Sequence, residues 1–444
     1  MTETAPASDP LEVLRKTPPG TEVVLVLPTG ERWQGWLMPG NPLSGPRTVT
    51  LKLSSGYNVG IPLPPGTRVD MPPGPLWGQD PARNGGAVSS KNGPEEITPG
   101  SVVILTTGGT IASRIDYATG GVTPVHGKQA FESIHPGLSR EGPVHLREVF
   151  DILSEDVGPS HWQTLAEETA KAFRAGARGV VISHGTDTMA YTAGALAFQL
   201  RDLPGPVVLV GAQRSIDRPS SDGVSNLQSA VRVAREADLG EVVVLMHAEP
   251  SDGPMSIHRG TRVRKMHSTR RDAFETRNEP VLGRVDGGIV LSSDHRPRSA
   301  GPLRLEPGFD LHGSLVWIHP GLTEETIAAH VQNARGVVLA GTGMGHTPSG
   351  LLAWAGRATA SGLVVAMTTQ CLEGVVDPYV YSRGRELMAQ GVVYLGDMLP
   401  ETAFVKMLWS LHQAREPEAV KRLLTEVHAG ERSDRRTLIP GASP

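Results

Sequence analysis

Two short loops, each preceded by an unbroken apolar run, constrain this chain more than any other feature. Thr106-Thr107-Gly108-Gly109-Thr110 follows the run 102–105, and His184-Gly185-Thr186-Asp187-Thr188 follows 179–182. Apolar runs of four residues ending in a tight polar turn read as strands followed by a loop. Open parallel sheets carry their chemistry at the carboxyl ends of the strands, where both loops fall. Glycine beside a hydroxyl lets a substrate approach closely, because no side chain blocks it. Two hydroxyl-bearing loops, one with an adjacent carboxylate, point to nucleophilic acyl chemistry by threonine.

The remaining pattern supplies the architecture. Between residues 20 and 72, Val23, Leu25 and Leu27 alternate, Pro28-Thr29-Gly30-Glu31 reads as a hairpin turn, and further short strands run through Trp33, Trp36, Val49, Leu51, Leu53 and Ile61. Several short antiparallel strands in so few residues predict a small β-barrel over 1–72. Residues 73–100 turn to Pro, Gly, Asn and Ser, the composition of a linker. Strands then alternate with helical periods, such as Trp162, Leu165, Ala166, Thr169 and Phe173, or Met189, Ala193, Leu196 and Leu200. That alternation predicts a parallel α/β sheet over 101–300. The stretch from His295 to Pro307, rich in Pro, Gly and Arg, marks a boundary before a smaller α/β domain and tail over 301–444, with a helix opening at Pro400.

Composition excludes several classes. One cysteine, Cys371, permits no intramolecular disulfide and argues against a Cys-based metal site. The polar start of the chain lacks the apolar core of a secretory signal, and no stretch has the length of a membrane span, so a cytoplasmic protein is expected. A net charge of −4 is wrong for a chain gripping nucleic acid with its whole surface. The basic run Arg259, Arg262, Arg264, Lys265, Arg270 and Arg271 is an exception, read as a solvated face because no aromatics interleave it.

Gly108-Gly109 lacks the Lys-Ser/Thr ending of a phosphate loop, Gly341-Thr342-Gly343-Met344-Gly345-His346 is a poor dinucleotide fingerprint, and no Gly-x-Ser-x-Gly or His-Glu-x-x-His is present. His184 reads as a structural histidine. What survives is Thr110, Thr186, Asp187 and a base to accept a hydroxyl proton. Lys265, in the stretch Arg262-Val263-Arg264-Lys265-Met266-His267, is the candidate.

Taken together, Thr107-Gly108-Gly109-Thr110-Ile111-Ala112, His184-Gly185-Thr186-Asp187-Thr188-Met189, Leu153-Ser154-Glu155-Asp156, Val210-Gly211-Ala212-Gln213-Arg214 and Lys265 resemble the L-asparaginase family, amidohydrolases with a threonine nucleophile. The resemblance runs from about Ser101 to Leu411. Within it, the segments Gln213–Asp222, Val380–Leu387 and Asp397–Ala403, with the N-terminal barrel, resemble the branch that supplies the D-type subunits of archaeal-type glutamyl-tRNA(Gln) amidotransferases.

The resemblance implies an asparaginase-like two-domain α/β fold behind a small N-terminal β-barrel. It implies that Thr110 attacks a side-chain amide, that Tyr117 helps accept its proton and closes the site as a lid, and that Thr186, Lys265 and Asp187 relay protons. Ser154, Glu155 and Asp187 would hold the substrate's α-amino and α-carboxylate groups. It further implies a glutaminase component of a carbon–nitrogen ligase, a homodimer within a heterotetramer, passing ammonia to the E-type amidotransferase subunit. That partner holds most of the Glu-tRNA(Gln) and uses ATP and Mg, while this chain binds no metal or cofactor and no membrane. A free-standing L-asparaginase is the alternative. Glutamine and asparagine differ by one methylene, which leaves no motif.

Overall fold

The computed structural model describes residues 9–38, 45–53, 58–73, 96–108, 113–115, 122–124, 142–214 and 221–433. Two compact units are present. In the first, β1 (Glu22–Val26), β2 (Arg32–Leu37), β3 (Thr48–Lys52), β4 (Asn58–Pro62) and β5 (Arg68–Asp70) form a five-stranded antiparallel sheet in the order β4-β3-β2-β1-β5. Val23, Leu25, Leu37, Leu51 and Ile61 point into a core that Leu11 and Leu14 of the helix Pro10–Lys16 help to close. The β1–β2 connection is the expected hairpin turn, with the Leu27 N–H donating to the Glu31 carbonyl at 2.9 Å. A separate short hairpin pairs β7 (Ser113–Ile115) with β8 (Val122–Pro124).

The second unit contains two sheets. In the larger, β6 (Val102–Thr106), β9 (Val144–Glu148), β10 (Gly179–Ser183), β12 (Val207–Val210) and β13 (Val242–His247) run parallel. All residues of β6, β10, β12 and β13 are buried, which is why their sequences read as continuous apolar runs. The parallel sheet expected here is extended by antiparallel β14 (Met255–Arg259), β17 (Gly283–Asp286) and β18 (Gly288–Leu291), giving eight strands in the order β18-β17-β14-β13-β12-β10-β6-β9. The reason is chain length: β13, β14, β17 and β18 follow one another without a crossover helix, and only antiparallel pairing permits that. Short ladders pair β11 (Leu200–Arg201) with β19 (Arg304–Leu305), and β15 (Val263–Lys265) with β16 (Phe274–Thr276).

The smaller sheet is parallel and four-stranded, in the order β20 (Gly313–Trp317), β21 (Gly336–Gly341), β22 (Val364–Thr369) and β23 (Val393–Tyr394). The helix Pro400–Gln413 joins the two cores. Its Val405, Leu408 and Trp409 belong to the larger core with Leu196 and Phe198, while Ala403, Met407 and Leu411 belong to a cluster with Val338, Val364 and Ala366.

The stretch Val405–Leu411 of this helix is buried throughout, and with it the charge of Lys406. Its ammonium and the Glu431 carboxylate are both 0% exposed and lie 2.5 Å apart, and the ammonium also donates to the carbonyls of Leu424 and Glu426. Glu431 in turn accepts from the N–H groups of His428 and Ala429, so the segment after the helix Pro417–Thr425 is pinned. Glu431→Gln strands the buried ammonium and is expected to cost about 3–5 kcal/mol of stability. Pairing it with Lys406→Met should recover most of that loss, as read from urea-unfolding midpoints.

The basic run expected as a solvated face is instead largely internal. Arg259 and Arg262 are 8% and 1% exposed. Arg259 pairs with Glu241 and Glu279 at 2.8 and 2.9 Å, Arg262 with Asp397 at 3.0 Å, and Arg264 with Glu401 at 3.0 Å. Carboxylates distant in sequence consume these cations, which leaves them unavailable to phosphates. The stretch 295–307 is likewise pinned: Arg298 donates to the carbonyls of Ala237, Pro204 and Ala234.

Candidate active site

Strands β6 and β10 pair in parallel with Thr106 opposite Ser183, so their two loops leave the sheet side by side. Thr107 is buried, and both its N–H and its Oγ1 donate to the Ser183 carbonyl, at 3.2 and 2.9 Å. Gly108 follows at φ 95°, and a Cβ there would lie 2.7 Å from the Ile152 carbonyl oxygen, so only glycine fits the turn. Thr110 and Tyr117 lie outside the described residues.

The second loop is set from beneath. His184 is wholly buried, its Nδ1–H donating to the Gly185 carbonyl at 2.7 Å and its Nε2 accepting from Thr192 Oγ1 at 2.9 Å. Thr192 accepts from the Trp162 indole at 3.1 Å, which fixes the direction of the chain and the histidine tautomer. His184 is therefore the structural residue it was expected to be. A Cβ on Gly185 would come 2.6 Å from that of Ser154, so the loop and the turn Ser154–Asp156 touch. Ser154 is buried, its Oγ donates to Glu155 Oε2 at 3.1 Å, and its carbonyl accepts from Thr188 Oγ1 at 2.5 Å.

Above this floor Lys265 enters from the end of β15. Its Nζ donates to Thr186 Oγ1 and to Asp187 Oδ1, each at 2.8 Å. Thr186 is buried and the Lys265 side chain is 12% exposed, whereas Asp187 is 68% exposed and open to a ligand. Among the assigned residues, Thr186, Asp187 and Lys265 thus form one contiguous group, with Ser154 and Glu155 alongside the same loop. Sequence reasoning assigned no role to Thr188, Thr192 or Trp162. Thr188 was visible in the loop motif, but Trp162 read only as part of a helix face.

Burial pushes the His184 ring down to about 4, and burial pushes His258 to about 3. In the unfolded chain both titrate near 6.5. Below that pH the unfolded state holds more protons than the folded one, so stability is fully present above about pH 6.5 and is lost as pH falls toward 4 and below. The urea midpoint is expected to drop between pH 7 and 4.5. A flat profile would contradict the neutral, buried rings.

Among the described residues no His, Cys, Asp and Glu side chains gather in a group that could hold a metal ion, and no helix is long and apolar enough to cross a membrane.

Three family models match: "Asparaginase, N-terminal" over residues 101–297, "Glutaminase/Asparaginase C-terminal domain" over 314–424, and "GatD N-terminal domain" over 20–71. The chain is 42% identical over 414 residues to the D-type subunit of the Pyrococcus furiosus glutamyl-tRNA(Gln) amidotransferase, covering 92% of this chain and 93% of that one. The chain belongs to the GatD family of glutamyl-tRNA(Gln) amidotransferase subunits. A GatD protein from Metallosphaera sedula is 42% identical over 395 residues, covering 88% of this chain and 87% of its own. Among solved structures, the thermostable L-asparaginase from Thermococcus kodakarensis superposes with a TM-score of 0.69 at 33% identity, covering 76% of this chain and 100% of that chain. The L-asparaginase I of Vibrio cholerae gives 0.66 at 29% identity, over 76% and 100%. The asparaginase-like two-domain fold behind a small N-terminal β region is thereby established, and membership of the GatD family accounts for that added N-terminal segment.

Proposed function

We propose that this chain is the glutaminase subunit of a tRNA-dependent amidotransferase, hydrolysing the side-chain amide of glutamine through a threonine nucleophile. The observation that carries the reading is the contact of Lys265 Nζ with Thr186 Oγ1 and Asp187 Oδ1, both at 2.8 Å. A hydroxyl, an amine and a carboxylate in one hydrogen-bonded line can pass a proton in either direction. The 42% identity to GatD proteins along nearly the whole chain supports the assignment to the amidotransferase.

In this mechanism the Thr110 hydroxyl attacks the amide carbon and Tyr117 takes its proton. The tetrahedral intermediate collapses, ammonia leaves with a proton delivered through Thr186 and Lys265, and water hydrolyses the acyl-threonine to release glutamate. Ser154, Glu155 and Asp187 hold the substrate's α-amino and α-carboxylate groups, and loop N–H groups stabilise the oxyanion. The ammonia passes to the E-type partner, which activates Glu-tRNA(Gln) with ATP and Mg and converts it to Gln-tRNA(Gln). The chain itself carries no resident cofactor and acts in the cytoplasm as a homodimer within a heterotetramer.

The likeness of the larger unit to L-asparaginases supports a second reading, a free-standing asparaginase releasing aspartate and ammonia. Ammonia release from each amide separates the two. Slow turnover by the chain alone, rising sharply with the E-type partner, Glu-tRNA(Gln) and ATP, is expected for the amidotransferase. Rapid asparagine turnover without a partner would replace it with the second reading.

A further inference from the structure

The larger sheet has a cavity at the end away from the candidate active site, by the amino ends of β12 and β13. It measures about 140 Å³ and is lined by Arg201, Asp202, Glu241, Arg296, Ser299 and His428 among others. That is well under the roughly 300 Å³ at which pockets begin to take drug-sized ligands. Arg201 and His428 also line an adjoining hollow of about 400 Å³ that contains Arg304 and Glu306.

The carboxylates around this cavity are all taken by arginines other than Arg201. Glu241 is engaged by Arg259 at 2.8 Å and Arg296 at 3.1 Å, Asp202 by Arg304 at 2.6 Å, and Glu306 by Arg304 at 3.4 Å. Arg201 has no ion pair among the described residues, and its Nη1 is buried without a hydrogen-bond partner. The β11–β19 ladder sets Arg201 directly opposite Arg304, a like-charge pairing that disfavours the sheet by itself. Burial, with Arg296 and Arg304 nearby, lowers the Arg201 pKa against the pull of Glu306 and Glu431. His428 Nε2 is also buried without a hydrogen bond, with the Glu426 carboxylate 3.9 Å away. The imidazole is fixed, since its backbone N–H donates to Glu431 and its ring meets the edge of Trp409 at 5.1 Å.

A guanidinium nitrogen buried without a partner costs free energy unless something completes it. The chemistry that completes a planar fork of donors beside an imidazole is a small oxyanion with several acceptor oxygens. We propose that this cavity is a phosphate-binding site, with Arg201 as its principal ligand and Arg296 and His428 at its flanks. The phosphate is either the free ion or a phosphate of an RNA strand, which present the same oxygens.

The test uses the full chain and inorganic phosphate as the probe, with chloride at matched pH and ionic strength as reference. The wild-type thermal midpoint should rise saturably with phosphate. Arg201→Gln should remove the saturable part and weaken phosphate binding in calorimetry by roughly tenfold or more, while the general salting effect persists in both proteins. Its midpoint in chloride checks the fold, and Arg201→Lys, keeping the charge without the fork, should fall between. Identical phosphate responses in wild type and both variants would overturn the proposal and leave water as the cavity's occupant. Binding of a 5′-phosphorylated oligoribonucleotide separates the two sources. Affinity that falls in Arg201→Gln and is competed by phosphate assigns an RNA phosphate; RNA affinity unchanged while phosphate binding is lost assigns the free ion. No arm reads amide hydrolysis, so failure here leaves the glutaminase reading untouched.

Discussion

With alanine at Thr110, ammonia release from glutamine and from asparagine should fall to background, a loss on the order of 10⁴-fold or more. Thr186 does not replace the nucleophile under the proposed mechanism, because its hydroxyl is tied to Lys265 at 2.8 Å. The fold should be untouched, because the loop's anchors are elsewhere. Thr107 is bonded to the Ser183 carbonyl through both its N–H and its hydroxyl, and Gly108 sits closed against Ile152. Ammonia assays alongside thermal unfolding check both halves. Residual wild-type turnover with a normal midpoint would remove Thr110 from the nucleophile's role.

Lys265→Met is the second large effect. Losing the amine that links Thr186 to Asp187 should lower kcat by about 10²–10⁴-fold, the usual worth of a positioned proton-transfer group. Stability should hardly change, since Asp187 is 68% exposed and water replaces its partner. The arginine variant is the sharper control. Guanidinium restores a cation beside Asp187 but does not give up a proton near neutral pH, so Lys265→Arg should stay inactive. Recovery of activity in that variant would mean that Lys265 acts as a fixed charge and not as a proton carrier.

Much of this arrangement is legible in the sequence where local pattern dictates it. The apolar runs of β6 and β10 are buried on both faces, and their polar ends at Thr107 and His184 mark where the chain leaves the sheet. The meeting of Lys265 with Thr186 is of another kind. The two are 79 residues apart, joined only because the short β15–β16 ladder aims one side chain over the loop of β10. No periodicity encodes that. The same blindness explains the misread basic run. Arg259 and Arg262 look solvated in sequence because Glu241, Glu279 and Asp397 become neighbours only after folding. Lys406 is hidden for a related reason, as a lysine among the apolar residues of this helix gives no sign that Glu431 will fold back to meet it.

The helix Pro400–Gln413 also sets an order on synthesis. The N-terminal β domain draws its core from residues 11–69 and can close as soon as they leave the ribosome. Neither α/β core can. Each is missing a wall until the helix Pro400–Gln413 emerges, and that helix brings a charge neutralised only 25 positions later, at Glu431. The strands from β6 onward are therefore made well before the helix that completes their core. Between making β6 and making Glu431, the apolar surface that this helix later covers stays open to aggregation.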